Sequence, residues 1–303
     1  MAQSIVNMIN LYIINESSRA AVYGIGTYIR ELTAALKSSD VNVCIVHLRS
    51  NKPKNKTEET DGIQHLYIPP PINRNTFLDW NKQSELYYRN VVYLFQLLIK
   101  DKKNLIFHLN YNQSGKLAEE LKNAFNCRIV TTVHYSNWGF SIYDNLRRFR
   151  SILNEEQPDE NVKKMIDEER SYYSKADRVV CLSNYMQKIL FFDYGIDPVK
   201  ISLIPNGLTD VKKVKVSVND LKKKWNIPSK EKIIFYAGRM DEIKGLTYLL
   251  KSFREILKIY SNCRLIIAGS ASFDKYTKES QDICTKITYT GFLDKTKLYE
   301  WYR

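Results

Sequence analysis

The stretch KIIFYAGRMDEIKGLTYLL, Lys232 to Leu250, decides the fold. Ile233-Ile234-Phe235-Tyr236-Ala237 is apolar without alternation, the pattern of a parallel strand covered on both faces. Gly238 predicts a tight turn after it. A polar loop follows, and a helix begins near Gly245. Arg239 and Lys244 therefore stand at the carboxyl end of the strand, where ligands of open α/β sheets bind. Two cations, small residues that admit backbone, and the unpaired N–H groups of a helix N-terminus favour a phosphate. The stretch taken alone fits a solvated turn with two surface cations equally well, so its surroundings decide.

Upstream, Met8 to Ile14 reads as a first strand, and Gly24-Ile25-Gly26-Thr27 leads into a helix over Tyr28 to Leu36. Val41 to Leu48 is the next strand. This is the opening unit of a doubly wound sheet. The dinucleotide fingerprint is incomplete, because Ile29 holds its third glycine position and no acid ends the second strand; NAD is disfavoured. Residues 50–62 are charged and turn-rich, a loop or hairpin. Further strands are predicted over 63–68, 105–109, 128–133, 178–182 and 200–204, with helices over 83–99, 114–125, 162–173 and 184–194. His134 follows the 128–133 strand, on the ligand edge, where it equally suits a histidine that only caps the strand. Residues 140–158 read as a mobile, partly helical lid or acceptor loop. Its Arg147-Arg148-Phe149-Arg150 cluster suits an acidic acceptor, a lipid surface or one solvated helix face.

Pro205-Asn206-Gly207 is a hard stop, and the composition shifts there. Of the net charge of +13, nine units lie in residues 206–303. Such a balance suits an anionic ligand, a nucleic acid, an anionic membrane face or simply a lysine-rich surface. The reading is two α/β domains, 1–205 and 206–303, the second with about three strands. Five scattered cysteines without a C-x-x-C pair read as reduced thiols of a cytosolic protein. Four histidines lack metal-ligand spacing. The start lacks a basic region and a cleavage site, and no apolar run reaches the roughly 18 residues that span a bilayer.

Taken together, these stretches resemble a retaining glycosyltransferase of family 4, with the two-domain GT-B fold of Rossmann-like units. Gly24-Ile25-Gly26 resembles the family's glycine loop, and Thr132-Val133-His134 its strand-end histidine. Ala176 to Ser183 resembles the last strand of the first domain. Ile204-Pro205-Asn206-Gly207 resembles the interdomain segment, and Tyr236-Ala237-Gly238-Arg239 with Lys244-Gly245 the donor-phosphate motif. Leu265 to Gly269 and Tyr289-Thr290-Gly291-Phe292 resemble the next two strand ends. The order and spacing of these pieces along nearly the whole chain carry the resemblance.

The resemblance implies transfer of a sugar from a nucleoside diphosphate sugar to a hydroxyl acceptor, a glycan, a lipid-linked glycan or a peptide. It implies retention of configuration, no metal and no cofactor. Catalytic roles fall on His134, Arg239 and Lys244. Donor contacts fall on Gly24, Gly26, Asn206, Gly238, Arg239, Lys244, Gly269, Gly291 and Phe292, with domain closure about Asn206-Gly207. The opening INESSRAAVYGIGTYI is similar to a bacterial subgroup associated with radical-SAM peptide maturation, which puts a peptide among the acceptors. A cytoplasmic protein is implied, peripheral at most at an anionic inner membrane face, with no nucleic-acid partner. Two departures stand out. Thr209, followed by Asp210, occupies a place where the family often has an acid. The family's Glu-(seven residues)-Glu motif would follow Arg303, so the expectation is a truncated chain. That leaves a rival reading, an incompetent chain that binds an anionic ligand or a partner. A nucleic-acid binder and a GT-B phosphorylase are weaker, for want of a recognised motif and of a cofactor-lysine region.

Overall fold

The computed structural model describes residues 8–16, 24–70, 80–210, 217–270 and 273–302. The opening loop from Ser17 to Tyr23 lies outside them. The chain divides into two compact units, 1–209 and 210–303.

In the first unit, β1 (Ile9–Glu16), β2 (Val41–Leu48), β3 (Lys56–Thr60), β4 (Ile63–Ile68) and β5 (Leu105–Leu109) are followed by β6 (Cys127–Val133), β7 (Arg178–Cys181) and β8 (Ile201–Leu203). They form one sheet in the order β3-β4-β2-β1-β5-β6-β7-β8. All pairings are parallel except β3 with β4. The charged 50–62 stretch thus resolves into a hairpin. Asp61 and Gly62 both have positive φ, 54° and 76°, as a two-residue turn matching strand twist requires.

Helices cover both faces of this sheet. α1 (Gly24–Leu36) and α2 (Trp80–Leu98) pack on opposite sides. Adjacent residues of β1 show why. Ile13 joins Ile25, Ile29, Ile45 and Tyr111, whereas Ile14 joins Val91, Phe95 and Phe107. Successive strand residues point to opposite faces, and both of these are fully buried. Each contributes about 1.5–3 kcal/mol.

α3 (Gly115–Ala124), α4 (Asn137–Ser141), α5 (Leu146–Leu153), α6 (Glu160–Lys175) and α7 (Asn184–Lys188) complete the unit. The 140–158 region is partly helical, as expected, and its helix packs onto the unit. Phe149 of α5 is fully buried and stacks on buried Trp138 at 4.2 Å. Its arginines face outward, and two are paired: Arg148 with Asp159 and Arg150 with Asp193.

The second unit holds α8 (Val218–Lys224), β9 (Lys232–Ala237), α9 (Leu246–Ile259), β10 (Cys263–Ala268), α10 (Phe273–Glu279), β11 (Ile287–Gly291) and α11 (Lys295–Trp301). Its strands form a parallel sheet in the order β11-β10-β9. Leu246, Leu250 and Phe253 of α9 are fully buried against Leu265 and Ile267. Of Ile233 to Ala237, expected to be buried on both faces, Ile233 to Tyr236 are only half-buried and Ala237 is exposed. α9 covers one face; on the other, Phe235 stacks on Trp301 of α11 at 5.7 Å.

Candidate active site

The carboxyl edge of the second sheet brings three of the anticipated residues, Gly238, Gly269 and Gly291, together through backbone. Gly238 N–H donates to the Ala268 carbonyl and Gly269 N–H to the Gly291 carbonyl, each at 2.9 Å. A Cβ on Gly269 would overlap the Gly238 carbonyl oxygen. Glycine at 269 is therefore what lets the ends of β9 and β10 close on each other. Gly291 has φ of +72°, the left-handed region that side chains disfavour. Phe292 follows it and is 63% exposed.

Arg239 leaves this edge half-buried, its guanidinium 3.0 Å from the Asp241 carboxylate. The other oxygen of Asp241 accepts from the Lys244 N–H at 3.1 Å. Asp241 thus caps the short turn Glu242–Lys244 while it orients Arg239. Gly245 then turns the chain at φ of +71° into α9. The Lys244 side chain is exposed, with no partner among the described residues. Asp241 was not among the residues singled out from the sequence, although an aspartate three residues before Lys244 is the spacing of such a cap.

In the first unit His134 and the glycine end of the first helix meet at the carboxyl edge of β5 and β6. His134, the residue after β6, is half-buried. Its Nε2 lies 3.1 Å from Asn110 Oδ1. Asn110 uses its amide nitrogen on the Ile14 carbonyl at 3.2 Å, so His134 Nε2–H donates. The neutral ring then presents Nδ1 as an acceptor. Burial pushes its pKa down to about 4, which keeps it neutral near pH 7. Tyr28 meets the ring edge-on at 4.7 Å and hydrogen-bonds Thr132 at 3.2 Å. Thr132 also contacts His108, at 2.7 Å.

Tyr28 sits two residues past Gly26, so it brings the amino end of α1 to His134. Gly24 opens α1, and a Cβ there would meet nothing within 4 Å. The first N–H groups of a helix lack intrahelical partners, and those of Gly24 and Gly26 belong to this set. Asn206 is exposed in the segment after β8. Thr209, a little further on, donates from its hydroxyl and its N–H to Glu31 of α1, at 2.5 and 3.0 Å. Tyr28, Asn110 and Glu31 were not singled out from the sequence, and Thr132 only as a neighbour of His134, since each is defined by a partner between 24 and 178 residues away.

Two α/β units thus each carry glycines and polar side chains at the carboxyl edge of a parallel sheet, the edge where ligands of such sheets bind. Residues 22–210 match the model of Glycosyltransferase Family 4, and residues 217–303 that of Glycosyl transferases group 1. The chain belongs to glycosyltransferase family 4. A UDP-Gal:alpha-D-GlcNAc-diphosphoundecaprenol alpha-1,3-galactosyltransferase of Escherichia coli is 26% identical over 209 residues, covering 67% of this chain and 47% of the relative. A lipopolysaccharide 1,2-N-acetylglucosaminetransferase of Salmonella typhimurium (strain LT2) is 27% identical over 79 residues, 26% of this chain and 21% of that one. The chain thus spans less than half the length of these curated relatives. Sucrose-phosphate synthase from Thermosynechococcus elongatus aligns with 97% of this chain and 73% of its own, at a TM-score of 0.67 and 19% identity. That likeness shows the fold, the GT-B type of these enzymes. No helix among the described residues is long and apolar enough to cross a membrane.

Proposed function

We propose that this protein is a retaining glycosyltransferase that moves a sugar from a nucleoside diphosphate sugar to a hydroxyl acceptor. The observation that carries the reading is the joined glycine edge of Gly238, Gly269 and Gly291 with Arg239 and the Lys244 turn rising from it. Small residues admit a diphosphate, and two cations meet the charge that builds on it as the glycosidic bond breaks. Preorganised charge acts most strongly where charge develops. Because Arg239 and Lys244 supply that charge, the reaction proceeds without a metal. His134 Nδ1 accepts a hydrogen bond from a sugar hydroxyl, and the first N–H groups of α1 offer further donors to an anion.

The acceptor belongs among glycans, lipid-linked glycans and peptides. The lipid-linked class is favoured by the diphosphoundecaprenol in the name of the galactosyltransferase relative. Cytoplasmic placement, at most peripheral at an anionic membrane face, accords with this reading.

Thermal shift with UDP, GDP, ADP and CMP, beside Arg239→Ala, tests it. A rise in Tm with one nucleoside diphosphate, lost in the variant, supports the phosphate site. Turnover of the matching sugar donor, with the product anomer read by NMR, supports retention. Binding without turnover favours a ligand-binding chain instead.

A further inference from the structure

The first unit buries a carboxylate that the reading above does not use. Glu169, on α6, has no exposed surface. Its Oε1 accepts from the Asn137 N–H at 2.5 Å and from Asn112 Nδ2 at 3.0 Å. Its Oε2 accepts from the Tyr194 hydroxyl at 2.6 Å. Asn112 spends the same amide nitrogen on the Tyr135 carbonyl at 2.7 Å, and its Oδ1 accepts from Tyr173 at 3.2 Å. The backbone that directly follows His134 is therefore gripped twice, at the Tyr135 carbonyl and at the Asn137 N–H. Both grips trace to Glu169.

A buried charge without a role costs stability, and burial pushes this carboxyl up to about 7. An ionised carboxylate is nonetheless the group that suits this place. It only accepts, and it faces a backbone N–H, an amide NH2 and a phenol, all donors. The three come from separate parts of the chain: Asn112 after β5, Asn137 at the start of α4, and Tyr194 beyond α7. Glu169 fixes one short segment against all of them. That segment is the one whose path sets the direction of the His134 ring.

We propose that Glu169 is a positioning residue that acts through His134: by clamping Tyr135 to Asn137 it holds the imidazole where Nδ1 meets the sugar hydroxyl. This rests on the reading of His134 as a sugar contact. Glu169 itself touches no substrate.

The test uses the full chain and two readouts. The first needs no turnover. In Glu169→Ala the Asn137 amide exchanges hydrogen at least about tenfold faster and the His134 ring resonances move, while amides of β5 and β6 keep their protection. The second is a double-mutant cycle on donor hydrolysis, screened over UDP-glucose, UDP-galactose, GDP-mannose and ADP-glucose. Glu169→Ala lowers kcat about tenfold with donor KM within about twofold, and Glu169/His134 double replacement is no slower than His134→Ala alone. Glu169→Gln, which keeps one carbonyl acceptor, restores most of the rate. Should Glu169→Ala not fold, Asn112→Ala reads the same clamp from its other half. Unchanged Asn137 exchange, or losses that multiply in the double variant, overturn the proposal. A wild-type chain that hydrolyses none of the four donors counts against the proposed function, and the exchange measurement still decides the clamp.

Discussion

Gly269 and Gly238 touch so closely that no side chain fits at position 269: a Cβ there would run into the Gly238 carbonyl oxygen. The same construction at Gly238 meets the Tyr236 side chain rather than backbone, its hydroxyl at 3.1 Å and its ring at 3.4 Å and beyond. The two glycines therefore differ in kind, although both close strands of one sheet. Gly269→Ala must push backbone apart and break the 2.9 Å bond from Gly269 N–H to Gly291. It should lose nucleoside diphosphate binding and lower the thermal midpoint by several degrees, as about 1–3 kcal/mol of overpacking does. Gly238→Ala should cost under about 1 kcal/mol. Calorimetry of both variants separates them; equal losses would contradict the geometry.

Arg239 is the cation on which the proposed chemistry leans most. Arg239→Ala should cost about 3–4 kcal/mol of transition-state stabilisation, by analogy with removing an oxyanion donor. Arg239→Lys should recover only part, because an ammonium lacks the planar fork. The check is kcat/KM for the matched donor, and near-wild-type turnover in Arg239→Ala would remove the assignment.

Asp241 pulls in two directions, and two substitutions separate them. Its carboxylate pairs with Arg239 at 3.0 Å and caps the Lys244 turn at 3.1 Å. Asn at 241 keeps a capping oxygen but removes a charge that competes with an anion for Arg239. Asp241→Asn should therefore tighten nucleoside diphosphate binding about two- to fivefold, an effect that shrinks with added salt. Asp241→Ala should weaken it, since loss of a cap costs about 1 kcal/mol. Titration calorimetry at low and high salt reads both; the same sign for both variants would show that the cap and the charge do not act separately.

The alternating strands and helices were legible because buried parallel strands and amphipathic helices leave local patterns. Ile13 and Ile14 illustrate the limit of that reading. Their run shows burial, yet only the sheet shows that they serve opposite cores. The 140–158 stretch showed its helix and its solvated arginine face in the sequence, but not its packing, for a related reason. Its arginines are conspicuous in sequence, whereas the stack of Phe149 on Trp138 joins residues 11 apart through tertiary packing. At the candidate site, glycines and cations announced themselves by type. Asn110 and Glu169 did not, because a polar residue acquires its role from distant partners, and those partners are set only once the strands are in register.

Metal dependence is directly measurable. With Arg239 and Lys244 supplying the positive charge, donor turnover should be unchanged within about twofold by EDTA, and added Mg2+ should not raise it. A loss of activity in EDTA that Mg2+ or Mn2+ restores would show that the two cations do not suffice.

Acid should destabilise the first unit by a route its histidines define. Burial lowers His134 and His47 from 6.5 to about 4 and His108 to about 3, and it lowers His65 as well. The unfolded chain takes up these protons near pH 6.5, while the folded chain resists until the lower values. Stability from the four is therefore fully present above pH 6.5 and drains away as pH falls toward 4. Glu169 opposes them. Its folded pKa is raised from 4.5 to about 7, so the folded state binds that proton first, and this one group gains stability over the same descent. Burial raises Glu16 as well, so it opposes them too, and four protons against two leave a net loss, at about 1.4 kcal/mol per pH unit for each uncompensated proton. Urea midpoints followed by circular dichroism should fall steadily from pH 7 to pH 5. His134→Asn should flatten that fall by about one proton, and Glu169→Gln should steepen it. A midpoint that holds level across the range would mean that these rings stay open to water.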